Sequence, residues 1–165
     1  MAYLLTFSTY GSHLPGDARG STDRHTGWRG REPRLEDYAW TAMCEPAFRL
    51  IRSEDRRAVR DAIAKLCAEK EWFLQALHVR TTHVHLIVET GASPALVLQS
   101  CKSFATRALK AGSEFPRKKY WTRSGDVRRL AGRAAVECAI RYVLDGQGES
   151  MEVYDAGDPP LISGG

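Results

Sequence analysis

The sequence predicts an α+β fold: one antiparallel sheet built in the order β-α-β-β-α-β, with a further helix near the C-terminal end. Three observations carry this reading. The central stretch Thr82-His83-Val84-His85-Leu86-Ile87-Val88 is β-branched and aliphatic, alternates with period 2, and ends at Glu89-Thr90-Gly91. The segments opening at Ser53 and Ser93 carry apolar residues at helical spacing. The 165-residue length, 43% hydrophobic and 27% charged, is that of one globular domain with one substantial core.

Tyr3 to Thr9 reads as the first strand, with Tyr3, Leu5 and Phe7 alternating against Leu4, Thr6 and Ser8. A long irregular segment follows, about residues 10–34, with five glycines, Pro15 and Pro33. It carries His13, His25, Trp28 and five arginines, and a loop this long in a compact domain is often functional. Ser53-Glu54-Asp55 supplies a capping hydroxyl and two acids near the positive end of a helix, and Val59, Ile63, Leu66 and Cys67 form its apolar stripe. Trp72 to Val79 is a second strand, forming a hairpin with the histidine strand through Arg80-Thr81.

Ser93-Pro94 opens the next helix, with Leu98, Cys101, Ala105 and Ala108 as its stripe. Beyond Pro116, Lys118 to Arg123 mixes basic and aromatic residues and reads as an edge strand. The last helix, about Arg133 to Asp145, has Val136, Ile140, Val143 and Leu144 on one side, with Gly146 as its cap. This order is that of a ferredoxin-like (RRM-like) sandwich. Residues 1–150 form the domain, and residues 151–165 read as an irregular tail.

The four cysteines lack Cys-x-x-Cys spacing. Cys67, Cys101 and Cys138 fall within helical patterns and read as reduced, buried packing residues, so no zinc or disulfide framework is expected. No apolar run approaches the ~20 residues a membrane span needs, and the N-terminus lacks a signal-peptide pattern; a cytoplasmic protein with no membrane partner is expected. The net charge of +4 is unevenly placed: residues 102–133 hold ten Lys or Arg against Glu114 and Asp126, whereas residues 134–165 hold six acids and one base, Arg141. A basic block of this kind suits a polyanion.

Alternation puts His83 and His85 on one strand face and Val84, Leu86 and Val88 on the other. If the aliphatic set faces the core, the histidines stand on the exposed side, with Cβ atoms ~7 Å apart at a rise of roughly 3.3 Å per residue. That is close enough to share a metal ion, although unliganded strand histidines are the more ordinary reading. On the last helix, Tyr142 lies roughly 120° or more around the axis from Val136 and Ile140, at the margin of the apolar stripe.

Together these residues resemble the HUH-class single-tyrosine transposases of insertion sequences, including the REP-associated tyrosine transposases. The resemblance rests on His83-Val84-His85, on Tyr142 within Ala139-Ile140-Arg141-Tyr142-Val143-Leu144, on Tyr120-Trp121-Thr122-Arg123, and on Thr9-Tyr10-Gly11 followed by Leu14-Pro15-Gly16-Asp17; it spans about residues 3–150. It implies a metal-dependent single-stranded DNA endonuclease and strand transferase. His83 and His85 would hold Mg²⁺ or Mn²⁺, and Tyr142 would be the nucleophile that forms a 5′-phosphotyrosine. Relatives usually place a polar third ligand one turn after the tyrosine, where this chain has Gly146. The candidates here are Gln147, swung back by a left-handed cap at Gly146, and Glu137.

Single-stranded or hairpin DNA is the implied partner, with Lys102, Arg107, Lys118, Lys119, Tyr120, Trp121 and Arg123 as candidate contacts. The protein would be nucleoid-associated when bound to DNA. Monomer and homodimer both stay open, as does a domesticated, non-cleaving module that binds hairpin DNA or RNA. A two-histidine phosphoesterase would need two His-x-Ser/Thr motifs, and the segments at His13, His25 and His78 do not supply them.

Overall fold

The computed structural model describes residues 1–23 and 27–157. Along the chain the elements are β1 (Ala2–Ser8), β2 (Ser21–Asp23), β3 (Gly27–Arg29), α1 (Pro33–Thr41), α2 (Ser53–Glu69), β4 (Phe73–Val79), β5 (His83–Glu89), α3 (Pro94–Ala111), β6 (Asp126–Leu130), α4 (Arg133–Leu144) and β7 (Glu152–Asp155). Five strands form one antiparallel sheet in the order β6-β1-β5-β4-β7. Without β7, the set β1-α2-β4-β5-α3-β6 is the ferredoxin-like α+β sandwich read from the sequence.

Each face of the sheet is covered, and this decides where the site lies. On one face, α2 brings Val59, Ile63, Leu66 and Cys67, and α3 brings Val97, Cys101, Ala105 and Leu109. They close over Leu5, Phe7, Leu77, Val79, Val84, Leu86 and Val88, the main core. Ser93 caps α3 as its sequence implies, its Oγ accepting the Leu96 N–H at 3.3 Å with Pro94 in the first turn. On the opposite face, Ala139 and Val143 of α4 cover Ala2, Leu4, Ala76, Ile87 and Leu130.

Several expectations are corrected. The histidine face is not open: α4 lies over it and His85 is only 8% exposed. The edge strand next to β1 is β6, not Lys118–Arg123. That earlier segment is tied to the end of β1 by a single bridge, Thr9 to Trp121, and by Tyr10 N–H to the Tyr120 carbonyl at 2.8 Å. The tail expected to be irregular contains β7, which extends the sheet beyond β4. Its Glu152 carboxylate accepts a 2.8 Å hydrogen bond from Arg60 of α2, an anchor too distant in sequence to read from local pattern.

The N-cap of α2 is Arg52 rather than Ser53, while Glu54 and Asp55 do occupy the first turn. Cys67 and Cys101 are buried, but Cys138 is exposed on α4. Part of the loop at residues 10–34 is ordered as the β2–β3 hairpin, in which Trp28 is 72% exposed. His25 lies outside the described residues.

Candidate active site

Cross-strand register builds the floor of the site. Antiparallel partners share a face, so the pairings of β1, β5 and β4 give successive rows beneath α4: Leu4–Ile87–Ala76, then Thr6–His85–His78, then Ser8–His83. The first row is apolar and seals against α4. The next rows are polar, and His78 and His85 in the first of them are buried beneath the C-terminal end of α4. Arg80 continues β4 beside His83, its backbone N–H bonding the His83 carbonyl at 2.9 Å.

Both imidazoles are tethered through the same ring atom. His85 Nδ1 lies 2.8 Å from Thr6 Oγ1, and His83 Nδ1 lies 3.0 Å from Thr82 Oγ1. This leaves Nε2 of each ring for another partner, the arrangement by which an outer hydroxyl orients a metal-binding histidine. The rings meet edge to face with centroids 4.6 Å apart. His85 Nε2 is buried and has no hydrogen-bond partner. A buried polar atom without a partner is costly, on the order of 1–3 kcal/mol, and an incoming ligand would relieve that cost.

Burial and neighbouring positive charge keep the pair neutral. Burial, then the repulsion that protonated His83 and His78 and the Arg80 guanidinium would exert, push the His85 pKa down to about 4. Burial followed by the Arg80 guanidinium lowers that of His83. Neutral imidazole is the form that ligates metals.

Gln147 completes the group. Its amide acts on both imidazoles in the sense that favours their protonated forms, as an acceptor oxygen turned toward the rings would. Its Nε2 is buried without a partner, like His85 Nε2. The helix stops at Leu144, and the Gly146 N–H turns back to the Tyr142 carbonyl at 3.0 Å, which brings Gln147 toward the sheet. The positive φ in this turn belongs to Gly148 (+81°), not to Gly146 as expected. Glu137 is engaged elsewhere, accepting from Arg133 Nε at 2.7 Å. Among the described residues no three His, Cys, Asp or Glu side chains form a metal-binding group; the third member here is an amide. Two imidazoles and an amide around orphaned buried atoms fit a divalent ion that takes nitrogen and oxygen donors.

Tyr142 is half exposed, and its ring centroid is 6.2 Å from that of His85. The two line a cleft of about 560 Å³ together with Thr6, Asp126, Arg128 and Cys138. The buried positions of α4 are Ala139 and Val143, so Tyr142 stands at the edge of the covered face, as its helical angle implies.

The candidate DNA contacts divide into two groups. Arg107, Lys118, Lys119 and Arg123 are exposed, with Arg107 stacked on Phe104 at 4.1 Å. Lys102, Tyr120 and Trp121 are committed inside the protein. Lys102 Nζ donates to the carbonyls of Thr122, Arg123 and Ser124 at 2.9, 3.3 and 2.8 Å, and burial lowers its pKa. Tyr120 is 4% exposed, its hydroxyl accepting the Arg117 N–H at 3.0 Å. Trp121 is half-buried; its Nε1 donates to Thr106 at 3.0 Å and its ring packs edge-on against Phe7. Sequence reasoning missed Thr6, Thr82, His78 and Arg80. The available signal was register, because a tight Arg80–Thr82 turn pairs His78 with His85.

Known proteins can be compared with this geometry. A family model described as "Transposase IS200 like" matches residues 40–143, which include both histidines and Tyr142. The chain belongs to the IS200-like transposase family. Among solved structures it is similar to a REP-associated tyrosine transposase bound to a REP hairpin, at 13% identity and a TM-score of 0.49, covering 87% of this chain and 64% of that one. It is also similar to a protein described as a transposase from Deinococcus radiodurans R1, at 13% identity and a TM-score of 0.45, covering 84% and 85%. The search of curated proteins gave no match. No helix among the described residues of this IS200-like chain is long and apolar enough to cross a membrane.

Proposed function

We propose that this chain is a metal-dependent endonuclease and strand transferase for single-stranded or hairpin DNA, acting through a 5′-phosphotyrosine on Tyr142. The observation that carries the proposal is the convergence of three groups at one end of α4: the tethered His83–His85 pair, the Gln147 amide, and the Tyr142 ring 6.2 Å from His85. His83, His85 and Gln147 would hold Mg²⁺ or Mn²⁺, which when bound offsets negative charge on the scissile phosphate.

The rest of the chemistry belongs to the chain. Tyr142, which lines the cleft together with His85, would supply the attacking hydroxyl. A bond forms from Tyr142 Oη to phosphorus as the bond from phosphorus to the 3′ oxygen breaks. The phenolic proton passes to solvent, and the departing oxygen takes up a proton to become a 3′-hydroxyl. The phosphotyrosine keeps the number of ester bonds constant, so a 3′-hydroxyl from another strand can reverse the step and join the ends without ATP. Arg80, beside His83, adds a fixed positive charge where a phosphate must approach.

The test is adduct formation. Wild-type protein with Mn²⁺ and single-stranded hairpins from the DNA flanking its gene should give a covalent species on a denaturing gel. Tyr142→Phe should bind the same hairpins with affinity within about twofold and give none. An adduct that persists in the Phe variant moves the nucleophile elsewhere, and no adduct with any such hairpin leaves a non-cleaving binding module.

A further inference from the structure

His78 is the third imidazole on the face beneath α4, and it has no place in the chemistry above. It is fully buried, and both of its ring nitrogens are engaged. Nδ1 lies 2.8 Å from the Val143 carbonyl, which can only accept, so Nδ1 carries the proton. Nε2 must then be an acceptor, and it receives the Met151 N–H at 3.1 Å. One tautomer satisfies both bonds.

The two partners bracket the catalytic stretch. Val143 follows Tyr142, and Met151 lies just beyond Gln147, so the ring fastens both ends of residues 143–151 to β4. Val143 also offers one of the last four carbonyls of α4, which have no partner within the helix. Had α4 continued, that carbonyl would have taken the N–H of Gln147. In a continuous helix Gln147, five residues after Tyr142, would lie ~140° around the axis from it. Instead His78 takes the carbonyl, the helix stops at Leu144, and Gln147 turns to the histidine pair.

We propose that His78 is a positioning residue: by capping α4 at Val143 and holding Met151 to the sheet, it sets Gln147 against His83 and His85 and fixes their spacing to Tyr142. The inference rests on the metal-dependent reading of this site for its catalytic consequence, but not for its structural one.

His78→Leu removes both bonds, whereas His78→Asn keeps an N–H donor near the Nδ1 position. In His78→Leu, the side-chain amide resonances of Gln147 should move away from their wild-type positions. Mn²⁺ affinity should fall at least tenfold, and the single-turnover cleavage rate should fall at least tenfold with little change in the hairpin concentration for half-saturation. His78→Asn should recover the rate and the metal affinity to within about threefold of wild type.

A folded Leu variant that keeps the wild-type Gln147 resonances, metal affinity and cleavage rate would overturn the proposal. If the Leu variant does not fold, the Asn variant decides: no recovery of the Gln147 resonances, or none of the metal affinity, overturns it equally. If the wild type neither nicks nor forms an adduct, the cleavage reading fails alone, and the Gln147 resonances still decide the role of His78.

Discussion

Tyr142 and His85 face each other across the edge of α4 with ring centroids 6.2 Å apart and planes inclined at 72°, the tyrosine half exposed and the imidazole buried. This division suits their proposed roles. A nucleophile must meet an incoming strand, whereas a metal-binding imidazole works best shielded, oriented and neutral. The apolar row Leu4–Ile87–Ala76 and α4 hold His85 in that state without covering Tyr142.

The two histidines should therefore differ in stability while agreeing in activity. His85→Ala removes a buried ring and its bond to Thr6, and should cost on the order of 1–3 kcal/mol. His83→Ala, at a more open position, should cost less. Both should abolish Mn²⁺-dependent nicking. Urea denaturation beside a nicking assay checks this, and equal destabilisation by the two variants would contradict the buried position of His85.

The pH dependence follows from the lowered imidazole pKa values. His85 falls to about 4, and burial, its largest cause, also lowers His78 and His83. Unfolded histidine titrates near 6.5, so between that value and about 4 the unfolded chain binds more protons than the native one. Stability is then fully present above about 6.5 and falls as the pH drops toward 4. For His85 alone the loss is roughly 3 kcal/mol. Denaturant midpoints from pH 7.5 to 4.5 should show this decline, and His85→Ala should flatten it. A midpoint that holds steady over that range would refute the buried neutral pair.

The basic block should divide by function. Lys102 donates to three loop carbonyls, so Lys102→Met should destabilise the 122–124 loop and lower the melting temperature. It should leave the salt dependence of single-strand affinity nearly unchanged. Arg123→Ala and Arg80→Gln should each reduce the log-log salt slope by ~0.7, the increment expected for one phosphate contact on a single strand. Salt titrations of the three variants decide between the roles; a Lys102→Met slope that drops as far as the others would return Lys102 to the DNA.

What could be read in the sequence was local periodicity. The His83–Val88 alternation, the stripe of α2 and the marginal angle of Tyr142 all depend on neighbours a few residues apart, and all appear in the structure. On α3 Cys101 and Ala105 are buried as expected, but Val97 and Leu109 complete the stripe in place of Leu98 and Ala108. What could not be read depends on partners far along the chain. α4 covers the histidine face because Ala139 and Val143 pack on Ile87 and Leu130. β7 joins the sheet because His78, Arg60 and β4 receive it. Tyr120 and Trp121 look like base-stacking residues by composition, and only the tertiary contacts with Arg117, Phe7 and Thr106 show them committed to packing.

Gly146 gives the most local test of the geometry at the end of α4. A methyl group there would lie 2.9 Å from the Tyr142 carbonyl oxygen, 3.1 Å from its Cα and 3.1 Å from ring atom Cδ2. Two of these three atoms are backbone, which cannot swing aside as a flexible side chain would. The 3.0 Å bond from the Gly146 N–H to the Tyr142 carbonyl also fixes the turn leading to Gln147. Gly146→Ala should therefore shift the end of α4 that links the nucleophile to the proposed third ligand. The cleavage rate should fall on the order of 10²-fold, the loss that an ångström-scale misplacement can cause. Hairpin affinity should hold, because Arg107, Lys118, Lys119 and Arg123 are remote from the turn in sequence and exposed. Single-turnover nicking and equilibrium binding of the Ala variant measure the two effects separately. An Ala variant that cleaves at the wild-type rate would show that the close approach of Gly146 to Tyr142 is not part of the working site.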